Sequence, residues 1–102
     1  MGLQELRRRI DRIDDELVDL FQQRMDVSAE IARYKLENHL PVHDPVREQQ
    51  KLDDLSRKVD KDREAYVTAL YTLLFELSRG EQERVLSCAS ESDDKPKNEN
   101  LQ

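Results

Sequence analysis

The chain has 102 residues, which is the size of a single domain. Apolar residues make up 36% of the sequence and charged residues 39%, a balance typical of a thin bundle of amphipathic helices rather than of a large globular core. The formal net charge of −6 argues against nucleic acid or an anionic membrane as the main partner, although a local basic cluster can still bind a small anion.

The cysteine content and the N-terminal sequence indicate in which cellular compartment the protein is expected. Cys88 is the single cysteine, so no intramolecular disulfide can form, and a reducing environment is expected. Charges begin at Glu5 without the apolar core of a signal peptide, and no segment has the length of a membrane span. We therefore expect a soluble, cytoplasmic protein.

The first predicted element is one long amphipathic helix from about residue 3 to residue 36. Apolar residues recur along it at steps of three and four: Leu3, Leu6, Ile10, Ile13, Leu17, Leu20, Val27 and Ile31. About 33 residues at ~1.5 Å each span ~50 Å, whereas a compact domain of this size has a radius of gyration of only ~13 Å. The helix would overhang a single folded chain, so we expect a partner chain to cover the excess.

Arg24 interrupts this apolar seam at the step that follows Leu20. Lys35 lies only ~20° further around the helix axis, so a second cation shares the same face. Two cations that face an interior are unfavourable unless an anion meets them. The structural alternative is that Arg24 extends to solvent or fixes the register of a coiled coil.

The second helix is predicted to begin after a connector that Pro41 interrupts. Asp44 is a good N-cap and Pro45 is well suited to the first helical position, and the helix should end near residue 58. Its inward apolar set is thin, with Leu52, Leu55 and Val59, and Glu48 lies four residues before Leu52. That carboxylate should therefore share the inward face.

The third helix is predicted from about residue 63 to residue 86. Its inward face begins apolar and then turns polar: Val67, Leu70, Tyr71, Leu74, Ser78, Gln82 and Val85. From Ala89 the composition becomes polar, which predicts a disordered tail over residues 89–102 after a domain of residues 1–88. No strand is predicted, so the fold class is all-α with three helices.

Each helix thus carries polar side chains where its stripe predicts apolar ones: Arg24, Lys35, Arg47, Glu48, Ser78 and Gln82. Together they offer cations for carboxylates, a carboxylate for a hydroxyl group and an amide for an ether or carbonyl oxygen. They predict a small, polyanionic, hydroxylated ligand. Taken singly, each has a plainer interpretation, since a slight rotation of the assigned faces would leave Ser78 and Gln82 at the surface.

A set of motifs extends over about residues 3–86. It comprises Leu6-Arg7-Arg8-Arg9-Ile10-Asp11-Arg12-Ile13-Asp14, then Arg24, Tyr34-Lys35, Pro41-Val42-His43-Asp44-Pro45-Val46-Arg47-Glu48 and Ser78-Arg79-Gly80-Glu81-Gln82. The spacing Arg–Lys–Asp–Arg–Glu followed by Ser-x-x-x-Gln is specific as a whole, and it resembles the all-helical class of chorismate mutases. The resemblance implies an intertwined homodimer of three-helix chains with two active sites, each built from both chains. It also implies the Claisen rearrangement of chorismate to prephenate, on the route to phenylalanine and tyrosine.

The resemblance implies that two arginines bind the substrate carboxylates. Arg24, helped by Ser78, looks like the ligand of one carboxylate, and Arg7 looks like the arginine that enters the other subunit's site for the second. Arg7 and Arg24 are separated by ~26 Å along one straight helix, so they cannot reach the same small ligand within one chain. A second chain that runs antiparallel can bring them together.

The remaining implied roles concern the ether oxygen and the ring hydroxyl. Lys35 and Gln82 resemble the pair that holds the ether oxygen, and Lys35 also touches a carboxylate. Glu48, with the backbone of Asp44, resembles the receptor of the ring hydroxyl, and Arg47 is the basic residue beside it. A pericyclic rearrangement needs neither a nucleophile nor a proton transfer, so no metal and no cofactor are expected.

Several alternatives remain open. Isochorismate-pyruvate lyases share the scaffold, the arginines and the lysine, but they lack the Asp-x-x-Arg-Glu start of helix two that is intact here. An aminodeoxychorismate mutase is poorly separated by sequence. A non-catalytic helical dimer that serves as an adaptor is the alternative of another class, and it would not need Arg24, Lys35 and Gln82 to face inward. A complex with another enzyme of the shikimate pathway is also compatible with the resemblance.

Overall fold

The computed structural model describes residues 2–94, with side chains described as far as residue 88. Helix α1 spans Leu3–Glu37, α2 spans Pro45–Ser56 and α3 spans Glu64–Asp94, with a 3-10 turn at Lys61–Arg63 before α3. No strand occurs over this range, so the predicted all-α fold is confirmed. In the same part of the chain, none of the helices combines the length and apolar character needed to cross a membrane.

The C-terminal end of α1 is closed by its own backbone. The amide of Leu40 donates to the carbonyl of Lys35 at 2.8 Å, and the amide of His39 donates to that of Leu36 at 3.3 Å. His39 has a φ of 55°, the left-handed conformation that such a helix end requires. This closure turns the chain toward α2 directly after Lys35, which lies in the last turn of the helix.

Helix α2 begins as predicted. The Asp44 side chain accepts a hydrogen bond from the amide of Arg47 at 3.0 Å, and Pro45 occupies the first turn. The helix ends at Ser56, slightly earlier than expected, and none of its residues is buried. Its amphipathic face is therefore only partly covered by the rest of the chain.

Helix α3 is longer than predicted, because it continues to Asp94. Residues 89–94, which the sequence assigned to a disordered tail, are helical, and residues 95–102 lie outside the described residues. The segment 89–94 is polar but contains neither Gly nor Pro, so nothing in it forces the helix to stop. Pro96 is the first such residue after Gly80.

The small core joins the C-terminal half of α1 to α3. Ala29, Ala32 and Val85 form a buried cluster, and Leu86 packs against it. The two alanines keep the helices close together. The inward face predicted for α3 needs one correction: Phe75 is buried at 8% exposure, whereas Leu70 is 48% exposed and lies with Leu73 and Leu77 on a neighbouring stripe.

The apolar stripe of α1, defined by Leu3, Leu6, Ile10, Ile13, Leu17 and Leu20, is exposed in the single chain. Exposure reaches 61% at Leu3 and 58% at Ile10. The Cα radius of gyration is 18.7 Å and the longest extent is 62 Å, against ~13 Å for a compact chain of this length. The expected overhang of α1 is confirmed, and the covering partner chain stays a prediction.

Candidate active site

A pocket of about 350 Å³ lies between the C-terminal half of α1, the start of α2 and the middle of α3. The predicted site residues on its wall come from all three helices and the connector: Arg24, Lys35, Asp44, Arg47, Glu48, Ser78 and Gln82. Lys51 and Arg79 add further cations, so positive groups exceed carboxylates around this space. A small anion is therefore the ligand that the charges favour.

Arg24 is fixed in the pocket by contacts with α3. Its Nη1 donates a hydrogen bond to the hydroxyl of Ser78. Its Cζ lies 5.8 Å from the ring centroid of Tyr71 and 5.9 Å from that of Phe75, in cation–π range. The two rings meet edge to face at 6.0 Å. The alternative in which Arg24 extends into solvent therefore does not hold in this structure.

Lys35 is half-buried and tied to the connector. Its Nζ donates a hydrogen bond to the carbonyl of Val42 at 2.7 Å. An ammonium group has three donors, so this bond leaves donors for a ligand. Lys35 and Arg24 line the same pocket, as their positions on one helix face predicted.

Glu48 lies in the first turn of α2 and is paired with Arg79 of α3. Arg79 Nη1 donates to Glu48 Oε2, and the two side chains are 30% and 24% exposed. His43 Nε2 lies 3.9 Å from Glu48 Oε1, too far for a hydrogen bond. The carboxylate is thus oriented through one oxygen.

Gln82 is a buried polar residue whose hydrogen bonding is incomplete. Its side chain is 8% exposed, and Oε1 is buried without a hydrogen-bond partner within the described part of the chain. Leaving a buried polar atom unpaired typically costs ~1–3 kcal/mol. Ser28, only 5% exposed, lines the same pocket.

Arg7 is the predicted site residue that does not reach the pocket. It is exposed on the N-terminal part of α1. Its distance from Arg24 along that helix is ~26 Å. One chain therefore brings together every predicted site residue except the one that was expected to act in the other subunit.

Sequence reasoning missed Ser28, Lys51 and Arg79. Lys51 follows Arg47 by one helical turn, so the helix period could have found it. Ser28 likewise follows Arg24 by one turn, but a single serine on a helix face does not by itself indicate a ligand. Arg79 is adjacent to Ser78, ~100° around the helix axis and so off the predicted stripe. Only the packing of α2 against α3 gives it a partner.

The resolved pKa shifts belong to a pair of residues outside the pocket, the exposed Arg84 and the half-buried Glu81. Arg84 donates to Glu81 at 3.1 Å from Nε and 2.7 Å from Nη2. These hydrogen bonds lower the pKa of Glu81 and raise that of Arg84. Within the described residues, no group of three or more His, Cys, Asp or Glu side chains is arranged to hold a metal ion.

Comparison with known proteins identifies the family of the chain. The sequence profile of the family described as chorismate mutase type II matches residues 6–83, a range that includes the whole pocket and Arg7. The bifunctional chorismate mutase/prephenate dehydratase of Aquifex aeolicus (strain VF5) is 38% identical over 55 residues. The match covers 54% of this chain but 15% of that relative.

Proposed function

The chain belongs to the chorismate mutase type II family, and on that premise we propose that it catalyses the rearrangement of chorismate to prephenate. The observation that carries the proposal is the convergence of Arg24, Lys35, Glu48 and Gln82 on one pocket of about 350 Å³. This volume suits a small ligand. Its cations, carboxylate and amide match a dianion that bears an ether oxygen and a hydroxyl group.

Arg24 binds one substrate carboxylate in this proposal. Its contacts with Ser78, Tyr71 and Phe75 hold the guanidinium before the ligand arrives, which reduces the entropy lost on binding. One hydrogen bond to Ser78 leaves other N–H donors of the planar fork, and that fork suits a carboxylate. Ser78 also offers its hydroxyl to the same carboxylate.

Lys35 and Gln82 stabilise the breaking ether bond. Negative charge grows on the ether oxygen as the bond lengthens, so donors aimed at that oxygen bind the transition state more tightly than the substrate. Lys35 supplies a positive charge anchored to Val42, and Gln82 supplies an amide donor that does not depend on pH. Lys35 also contacts a carboxylate.

Glu48 accepts the hydrogen bond of the ring hydroxyl, and the backbone of Asp44 contacts the same hydroxyl group. The carboxylate already lies in the pocket, held by Arg79. Arg47, beside Glu48 on the pocket wall, adds positive charge. These contacts hold the flexible substrate in its folded, reactive conformer, so that less internal rotation has to be restricted on the way to the transition state.

The second carboxylate requires Arg7 of the partner subunit. The exposure of apolar side chains such as Ile10 and Leu17 supports a two-fold homodimer in which the apolar stripes of α1 pack antiparallel. The same contact brings Arg7 of one chain toward the pocket of the other chain. A cytoplasmic location is part of the proposal, in keeping with the single Cys88.

Incubation of the purified chain with chorismate tests the function. We expect prephenate, identified by its proton NMR spectrum and by its acid-catalysed conversion to phenylpyruvate. Release of pyruvate from isochorismate, or turnover of aminodeoxychorismate in preference to chorismate, would assign the site to a related enzyme. Absence of turnover and of binding with all of these substrates would favour the non-catalytic adaptor.

A further inference from the structure

We propose that Arg79 is a positioning residue that fixes Glu48 as the acceptor of the substrate hydroxyl, an inference that rests on the function proposed above. The observation behind it is the ion pair between Arg79 Nη1 on α3 and Glu48 Oε2 on α2. Both residues line the pocket. Arg79 thus reaches the substrate through Glu48.

Glu48 needs such an anchor because its own helix gives it little support. No residue of α2 is buried, and a glutamate side chain has several rotatable bonds. The contact from α3 selects one arrangement and engages Oε2. Oε1, which lies 3.9 Å from His43 Nε2, is then available to a hydroxyl donor.

The positive charge of Arg79 has a second effect, on the electrostatics of the pocket. Glu48 is a carboxylate on the wall of a pocket proposed to bind a dianion, so alone it would repel the ligand. At ion-pair distance Arg79 offsets that charge without occupying both carboxylate oxygens. The acceptor is retained while the repulsion is reduced.

A double-mutant cycle separates action through Glu48 from direct contact with the ligand. We expect Arg79→Met to lower kcat/KM for chorismate by roughly 10- to 100-fold, the loss that a misplaced contact can cause. KM should change more than kcat, because the hydroxyl contact is made in both substrate and transition state. In a Glu48→Ala background, Arg79→Met should cost less than about 3-fold, since there is no carboxylate left to position.

Two further measurements exclude a merely structural role. A chorismate analogue in which hydrogen replaces the ring hydroxyl should be handled almost equally by wild type and Arg79→Met. Arg79→Lys, which keeps the charge and a donor, should recover most of the loss with chorismate. If Arg79→Met does not fold, the lysine variant compared on the two substrates still tests the proposal, with a deficit confined to chorismate.

Arg84→Met is the matched control, because Arg84 lies on the same helix and is paired with Glu81 outside the pocket. It should keep wild-type kcat and KM. A wild-type chain without turnover would overturn both this inference and the proposed function. An active wild type with losses that multiply in the cycle, or an Arg79→Met variant as active as Arg84→Met, would overturn the inference alone.

Discussion

Lys35 and Val42 connect the end of α1 to the segment that leads into α2, through a hydrogen bond of 2.7 Å from Nζ to the carbonyl oxygen. The bond holds an ammonium group at the wall of the pocket without neutralising its charge. A structural lysine would more commonly be paired with a carboxylate. Lys35 is thus placed where its charge remains available to a ligand.

Lys35→Ala is expected to lower kcat by roughly 100- to 1,000-fold or more, because one preorganised donor contributes ~2.7–4 kcal/mol to the barrier. The midpoint of thermal unfolding should change little, since the side chain is part-buried and makes one backbone contact. Steady-state kinetics and circular dichroism measure the two effects. Lys58→Ala, an exposed position outside the pocket, is the control and should behave as wild type.

Gln82→Glu is expected to keep its activity mainly at acidic pH. A protonated carboxyl can donate to the ether oxygen, whereas an ionised one repels the charge that develops there. The variant should therefore gain kcat as pH falls, while the wild type changes far less over the same range. Gln50→Glu, on the exposed side of α2, controls for the added charge. A flat pH profile for Gln82→Glu would remove Gln82 from the ether oxygen.

The exposed apolar stripe of α1 predicts a homodimer at micromolar concentration. Light scattering should give about twice the chain mass of 12.1 kDa. Ile10→Glu or Leu17→Glu, which would place a charge within the apolar contact, should shift the mass toward that of one chain and lower activity. A wild type that has the mass of a single chain would contradict both the dimer and the shared site.

Subunit exchange tests whether Arg7 acts in the partner's site. Arg7→Ala and Arg24→Ala should each be nearly inactive, yet a mixed dimer has one site with both lesions and one site with neither. Random exchange of equal amounts makes about half the dimers mixed, so roughly a quarter of wild-type activity should return.

The alternative, in which Arg7 acts within its own chain, predicts a different result. If Arg7 served its own chain, every site in the mixture would keep one lesion and no activity would return. Exchange itself must be verified with a mass tag, because dimers that never exchange subunits are silent in either case. Mixing Arg24→Ala with Lys35→Ala is the negative control, since both residues line the pocket of the same chain and every mixed site retains a lesion.

Much of the fold was predictable from the sequence because the signals are local. The spacing of apolar residues defines α1, and Asp44 with Pro45 marks the start of α2 within a few residues. The end of α3 was not predictable from composition, because residues 89–94 are polar and yet contain no helix breaker. Local pattern indicates where a helix can form more reliably than where it stops.

The site was predictable to the extent that polar residues interrupt apolar stripes. Arg24, Ser78 and Gln82 were found that way, and each lies in the pocket. Arg79 was not, because its significance depends on Glu48, a residue 31 positions earlier on another helix. An ion pair between two helices depends on how the helices pack, and the residue pattern of one helix does not predict it.

Helix α2 contains no buried residue, and its attachments include the Asp44 cap and the Glu48–Arg79 pair. Elements with so few buried contacts open locally at low free energy, so the amide hydrogens of α2 should exchange with solvent faster than those near Ala32. A ligand that touches Glu48 and Arg24 at once would join α2 to α1 and slow that exchange selectively. Binding of the substrate would then also stabilise α2 against local opening.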